Sequence, residues 1–325
     1  MGNPIIGVTM GDPAGIGPEI CAKALTSPEI LNTTRALVIG DRKAIREGLR
    51  CAKIGNVEIN PIKQVSQAKF TSGIINVLDL NNVEISKLKI GQVSKMAGQA
   101  SVEYIEKAIR LALDGQIDAI ATGPINKEAI HKAGHHYQGH TEILAARTKT
   151  KDYAMMFVSD TLWVILVTTH IPLKEVSQSL DKKRIVKVIR FAHDTLFRLR
   201  EKKPKIGVAG LNPHAGEAGL FGDEEIKIIA PAVAEAKKLG IDVKGPLSPD
   251  AIFYLAKIGM FDIVVAMYHD QGLIPLKLLA FNHSVNVTVG LPIVTTSDDH
   301  GTRFDIAGKG WAKQQSLIEA VKVAT

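Results

Sequence analysis

The chain has 325 residues, of which 46% are hydrophobic and 22% charged, with a formal net charge of +7. This is the balance of an ordinary globular protein, too long for one core, and it predicts two lobes. No apolar run approaches the length of a membrane span. The few aromatic residues are not interleaved with the basic clusters at 182–184 and 198–205, which argues against a base-stacking nucleic-acid surface. The modest excess of positive charge suits an acidic small substrate. Cys21 and Cys51 show neither metal-ligand spacing nor a disulfide framework. Met1-Gly2-Asn3-Pro4 opens no signal peptide, so the expected location is the cytoplasm, with neither a membrane nor a nucleic acid as partner.

In chain order, residues 4–9 predict a short strand. The Gly-rich Gly11-Asp12-Pro13-Ala14-Gly15-Ile16-Gly17 follows, and Pro18 suits the first turn of a helix running to residue 25. This loop is neither a Walker A sequence nor a dinucleotide G-x-G-x-x-G in register, so it reads equally as a tight turn or a ligand loop. Residues 36–40 predict a strand, after which Asp41 caps a helix to residue 50. Strands follow near 57–59 and 74–78. Residues 94–113 form one amphipathic helix with Ala97, Ala100, Tyr104, Ile105, Ala108 and Leu111 on one side. Residues 117–122 predict a strand, and 123–127 open another helix. The segment 131–141 is dense in His and Gly, and Gly139-His140-Thr141 reads as a loop contacting an anionic group. Further on come a basic helix at 182–199, a flexible loop at 216–222, a helix at 224–239, a strand at 285–291 and a final helix from 314. Alternating strands and helices predict a mostly parallel α/β architecture without repeats or linkers.

Three apolar runs end in a histidine. Residues 163–167 lead to Thr168-Thr169-His170, and 206–211 lead to Asn212-Pro213-His214. The Val/Ile-rich run 263–267 leads to Tyr268-His269-Asp270-Gln271-Gly272, then Pro275 and Lys277. In open parallel sheets ligands bind beyond the carboxyl ends of the strands. Three imidazoles delivered there suit one divalent metal with an open position, although the chain has ten His and three unrelated loop histidines would give the same spacing.

The segments MGDPAGIGPE, ATGPINK, GHTE, TTHIPL, GLNPHAGE, AMYHDQGLIPLK and NVTVGLP together resemble the 4-hydroxythreonine-4-phosphate dehydrogenase family of vitamin B6 biosynthesis, in order from about residue 5 to 310. A similar branch oxidises 4-phospho-D-threonate and 4-phospho-D-erythronate, and the motifs do not separate the two. The resemblance implies that His170, His214 and His269 bind the metal (zinc, magnesium or cobalt). It implies that His140, Thr141, Lys277 and Asn286 contact the substrate, a small phosphorylated hydroxy acid. It also implies a homodimer with a shared site, one metal ligand coming from the partner chain. A more distant resemblance links His300-Gly301-Thr302-Arg303-Phe304-Asp305 to the adenosine loop of isopropylmalate dehydrogenases. It implies their two-lobed fold with the active site in the interdomain cleft, and lobes at 1–128 plus 285–325 and at 129–284. His300, Gly301 and Asp305 would then hold the cofactor. Asp305 would bond the adenosine ribose and favour NAD over NADP, the alternative being that it merely caps a helix.

The implied reaction is oxidation of 4-phosphohydroxy-L-threonine at its 3-hydroxyl and decarboxylation to 3-amino-2-oxopropyl phosphate. The alternative is a 4-phospho-D-threonate or 4-phospho-D-erythronate 3-dehydrogenase. Asp250, Asp270 and Lys277 are the candidates for proton transfer, with the base among them unassigned. One departure stands out: Thr295 occupies a position where the family has a phosphate-contacting Arg. Arg303 either supplies that charge from eight residues on, or serves the cofactor, or faces solvent. A metal-dependent phosphoester hydrolase and a non-catalytic phospho-ligand binder are the rival classes.

Overall fold

The structure, a computed structural model, describes residues 3–281, 283–298 and 301–325. The chain divides into two units, Met1–Asp152 with Val285–Thr325, and Tyr153–Ser284. The first begins with β1 (Ile5–Thr9), α1 (Gly17–Leu25), α2 (Pro28–Leu31), β2 (Arg35–Gly40), α3 (Arg42–Cys51), β3 (Glu58–Ile62) and β4 (Ile74–Asp79). It continues with α4 (Lys95–Leu113), β5 (Ala119–Thr122), α5 (Lys127–Lys132) and α6 (His140–Arg147). The second holds β6 (Ala154–Val158), β7 (Val164–Leu166), α7 (Leu173–Ser179), α8 (Lys182–Arg200), β8 (Ile206–Ala209) and α9 (Ala230–Lys238). Its remaining elements are β9 (Val243–Leu247), α10 (Pro249–Lys257), β10 (Ile263–Ala266) and α11 (His269–Ala280). The chain then returns to the first unit for β11 (Val285–Val289), β12 (Val294–Ser297) and α12 (Gln315–Val323).

The strands of the first unit run β3-β4-β2-β1-β5-β12-β11, parallel except that β11 is antiparallel to β12. β1 lies inside the sheet, with Ile6 and Val8 fully buried, as an apolar strand covered on both faces requires. Helix starts follow local chemistry: Asp41 accepts from the Lys43 and Ala44 amides, Ser94 from Ala97 and Asn126 from Ala129. The expected apolar side of α4 is buried, Tyr104 completely.

The first unit runs to Asp152, past the expected limit at 128. The reason is the packing of α5 and α6 on α4. Gly98 has no side chain where a Cβ would lie 2.1 Å from the Ala129 carbonyl oxygen, so the two backbones meet. His135 bonds Gln99 at 2.9 Å, and Arg147 pairs with Glu106 at 2.5 Å. The second unit orders its strands β6-β7-β10-β8-β9, with β6 antiparallel to β7 and the others parallel. The four residues of β10 are completely buried, and its core includes Phe157, Val164, Leu166, Ile252 and Phe261. Both units therefore have the expected mostly parallel α/β build. The first part of the segment 216–222, expected as a flexible loop, is instead wound: Pro213–Gly219 forms a short turn in which His214, Ala215, Gly216, Glu217 and Ala218 all have positive φ.

Candidate functional site

β7 and β10 are parallel neighbours in the register Val164↔Val264 to Leu166↔Ala266. The pairing outlasts the strands. Val167 N donates to Ala266 O at 2.9 Å, and Thr168 donates to Met267 O from both N and Oγ1, at 3.2 and 2.7 Å. The two following segments are thereby held side by side, and the rings of His170 and His269 come to 5.8 Å between centroids, tilted by 44°. Two imidazoles on one tetrahedral zinc, each nitrogen about 2.1 Å from the ion, have centroids roughly 5 Å apart. The pair fits a shared metal with a small adjustment. Asp270 Oδ1 lies 2.6 Å from His269 Nδ1, the carboxylate–imidazole contact that fixes ring orientation and leaves Nε2 for a ligand.

Gln271 explains why the strand ends are held so closely. This buried side chain accepts from Met267 N at 2.6 Å and donates to Gly210 O at 2.7 Å, tying the end of β10 to the end of β8. Buried Glu225 organises the next segment, accepting from Leu211 N at 2.7 Å, from Asn212 N at 2.8 Å and from Asn212 Nδ2 at 3.0 Å. His214 starts the left-handed run there and lies against Phe221, 6.4 Å between centroids. Asp250 is held below the usual carboxylate range, first by its bond to Ser248, with a smaller contribution from His214. Among the described residues, no group of three His, Cys, Asp or Glu is arranged to hold a metal. One chain thus brings together two of the three expected ligands, and His214 does not join them. Lys277 is half-buried on α11, its Nζ 5.4 Å from the centre of the Phe281 ring.

In the first unit the strand ends carry hydroxyls. Thr9, Thr122, Ser297 and Asn286 stand in register on β1, β5, β12 and β11, and Thr122 Oγ1 donates to Ser297 Oγ at 2.9 Å. The buried atoms Thr9 Oγ1, Thr295 Oγ1 and Asn286 Oδ1 have no hydrogen-bond partner among the described residues. Thr288 lies on the same side of β11 as Asn286, two residues on, and its hydroxyl is 3.2 Å from that of Thr141. Two of the expected substrate contacts, Thr141 and Asn286, therefore belong to one polar surface with spare hydrogen-bonding capacity. His140 Nε2 is 3.1 Å from Gly123 O, so it carries the proton and leaves Nδ1 as acceptor. Burial pushes this imidazole down to about 4, so it is neutral at physiological pH.

The segment around Asp305 packs beside the Gly-rich loop. Ile16 N donates to Thr302 O at 3.0 Å, and Gly91 N to Ala14 O at 2.8 Å. A cavity of about 320 Å³ opens here, lined among others by Gly15, Pro18, Glu19, Cys51, Ile90 and Gly308. That size and place suit the adenosine end of a dinucleotide. Asp305 is exposed, and Arg303 grips it through Nε at 3.0 Å and Nη2 at 2.8 Å, holding its carboxyl below the ordinary range. Arg303 thus pairs with Asp305 in this segment. Gly301 is exposed, with open space where a side chain would be, and His300 lies outside the described residues.

Sequence reasoning missed the hydroxyl row and the bridging roles of Gln271 and Glu225. A signal existed for the first: β1, β5 and β12 each end on Thr or Ser.

The family model described as "Pyridoxal phosphate biosynthetic protein PdxA" matches residues 32–324. The D-threonate 4-phosphate dehydrogenase of Salmonella typhimurium is 49% identical over 319 residues, covering 98% of this chain and 97% of its own. A crystal structure of 4-hydroxythreonine-4-phosphate dehydrogenase from Klebsiella pneumoniae superposes with a TM-score of 0.92 at 47% identity, covering 99% and 97% of the two chains. A beta-decarboxylating dehydrogenase from Thermococcus kodakarensis is similar at a TM-score of 0.53 and 14% identity, over 98% and 82% of the chains, a likeness of fold alone.

Proposed function

The chain belongs to the PdxA family, whose relatives are named dehydrogenases, and we propose that it is a metal- and NAD-dependent dehydrogenase of a 4-phosphorylated four-carbon hydroxy acid. The observation that carries this reading is the His170–His269 pair at the ends of two adjacent parallel strands, in a chain with whole-length dehydrogenase relatives. We take 4-phospho-D-threonate as the first substrate to test, because a relative covering almost the whole chain carries that name. 4-Phosphohydroxy-L-threonine stands beside it, since a structure at 47% identity carries the corresponding name.

His170 and His269 would hold the metal, with His214 supplied by the partner subunit of a homodimer. Two features support that assembly. His214 does not join the other two within one chain. The exposed Ile274, Leu278 and Phe281 also line one side of α11 and its end, at helical spacing, as a face covered by a second copy would. When bound, the metal supplies Lewis acidity that lowers the pKa of the hydroxyl to be oxidised. Asp270 would orient His269 rather than act as the free base. Asp250 is held ionised, so it could accept a proton, but its lowered pKa makes it a weak base. Lys277 would carry positive charge toward the phosphoryl group, while Thr141, Asn286 and neutral His140 would bond the substrate's polar groups. Asp305 would accept from the adenosine ribose hydroxyls, and its charge disfavours a 2′-phosphate there. Oxidation at carbon 3 places a ketone β to the carboxylate, and such acids lose carbon dioxide readily.

The test is NADH formation, measured by absorbance, with 4-phospho-D-threonate, 4-phosphohydroxy-L-threonine and 4-phospho-D-erythronate in parallel. Reduction of NAD with one of the three is expected, abolished by chelation. Phosphate release without NAD, or no NADH with any of them, would overturn the reading.

A further inference from the structure

We propose that Glu19 and Lys23 form a clamp that sets the position of the cofactor loop, and are positioning residues for dinucleotide binding. The inference rests on the cofactor reading above and joins Glu19, the last residue of the Gly-rich opening motif, to Lys23, which lies outside every motif. Glu19 and Lys23 lie one turn apart on α1 and pair at 2.7 Å. Both reach the same short strap, Gly310-Trp311-Ala312, nearly 300 residues later in the chain. Lys23 Nζ donates to Gly310 O at 2.9 Å and to Ala312 O at 2.7 Å. Glu19 accepts from Gly310 N at 3.2 Å and from Ala312 N at 2.8 Å. Each backbone group that the strap turns toward α1 is thus met by an opposite charge, and the three donors of the ammonium are all used.

This arrangement bears on the cavity for three reasons. Glu19 is 2% exposed and lies in the cavity wall, so the clamp and the wall share a side chain. The strap begins two residues after Gly308, another wall residue, and follows the segment that carries Asp305. The strap also cannot drift without loss, because Gly310 has φ +78 and a Cβ there would lie 2.5 Å from Cys51 O. Pulling 310 and 312 onto α1 therefore fixes the far end of the segment whose near end presents Arg303 and Asp305. Lys309 Nζ, donating to Asp305 O at 2.7 Å, links the two ends. Charge-assisted bonds are the strong class, and they hold the loop in its binding form before the ligand arrives.

Lys23→Met removes three donors and the charge while leaving the cavity wall in place. The expected result is a Kd for NAD, by titration calorimetry, about tenfold weaker than wild type. KM for NAD should rise with it, and kcat and KM for the phosphorylated substrate should move far less. Amide hydrogen exchange at Gly310 and Ala312 should accelerate in the ligand-free protein. Lys23→Arg should recover most of the affinity, and Lys23→Gln, which keeps a donor, is measured the same way if the Met variant folds poorly. A Lys23 variant that binds NAD within twofold of wild type while exchange at the strap accelerates overturns the clamp. Wild-type protein that binds no NAD at all overturns the cofactor reading instead, so the two failures are distinguishable.

Discussion

Mixing two inactive variants tests how the metal site is built. Within one chain the His170 and His269 rings are 5.8 Å apart, whereas His214 stands with Phe221 and the Asp250 side. A His214→Ala chain keeps the close pair, and a His269→Ala chain keeps the third imidazole. In a two-fold dimer, the first can be completed by His214 of the partner subunit. Random association at equal amounts makes about half of all dimers mixed, and each mixed dimer has one complete site out of two. About a quarter of the wild-type sites should therefore reappear, from parents that each have almost none. The assay is NADH formation together with metal content per chain, after co-expression with distinct tags or joint refolding. Mixing His170→Ala with His269→Ala is the internal control, because both lesions fall on the same side of the site and no ratio restores it. A His214/His269 mixture no more active than the mean of its parents would refute the shared site. Full metal occupancy in His214→Ala alone would remove His214 from the ligand set.

Gln271→Leu leaves the Met267 amide and the Gly210 carbonyl without their buried partner. At about 1–3 kcal/mol for each orphaned group, urea unfolding should show a loss of about 2–6 kcal/mol, and a loss below about 1 would mean the clasp is not structural. Asp305→Asn should raise the NADP-to-NAD ratio of kcat/KM, and wild-type enzyme preferring NADP would contradict the role given to Asp305. Asp12 is fully buried, with Oδ2 lacking a partner among the described residues, and burial raises its pKa from 3.8 to about 6. Because the folded protein then binds a proton that the unfolded chain has lost, wild-type stability falls as pH rises from 3.8 to about 6. Asp12→Asn should escape that loss, gaining up to about 3 kcal/mol over wild type by pH 7 and almost nothing at pH 4; an advantage independent of pH would exclude the cause given.

What the sequence made legible was local. Val/Ile runs such as 263–266 are buried on both faces, so their ends could be located, and the polar residues just beyond them could be read as candidates. The α4 face and the caps at Asp41, Ser94 and Asn126 depend on neighbours within a few residues and were equally readable. What escaped depends on contacts between distant segments. His170 meets His269 only because β7 and β10, about a hundred residues apart, lie side by side. Gln271 acquires its role only because β8 lies on the other side of β10. The left-handed turn at His214 follows residues held by Glu225, and a Gly-rich sequence there reads as flexible until that carboxylate is placed. The unit boundary moved for a similar reason: one absent Cβ at Gly98 brings α5 onto α4.

The departure at Thr295 narrows where positive charge for a phosphoryl group can come from. Thr295 is 1% exposed on β12, and its hydroxyl, without a partner among the described residues, adds to the neutral polar surface around Asn286 and Thr288. The Arg303 fork faces Asp305 rather than Thr295, and we propose that it does not stand in for the expected guanidinium. An exposed pair of this kind is weak, so a ribose could share Asp305 at small cost, and the arginine then remains beside the cofactor rather than the substrate. His140 is neutral above about pH 4, and Thr141 and Asn286 carry no charge. Of the residues expected to hold the substrate, Lys277 is left as the cation. A single ammonium is a point charge without the planar fork of arginine, so it attracts a phosphoryl group while specifying its orientation less. Orientation must then come from the neutral donors and acceptors. On the proposed reading, substrate discrimination would fall on the hydroxyl and amide surface, where acids differing at one hydroxyl or amine would be told apart by hydrogen bonds made or left unmade.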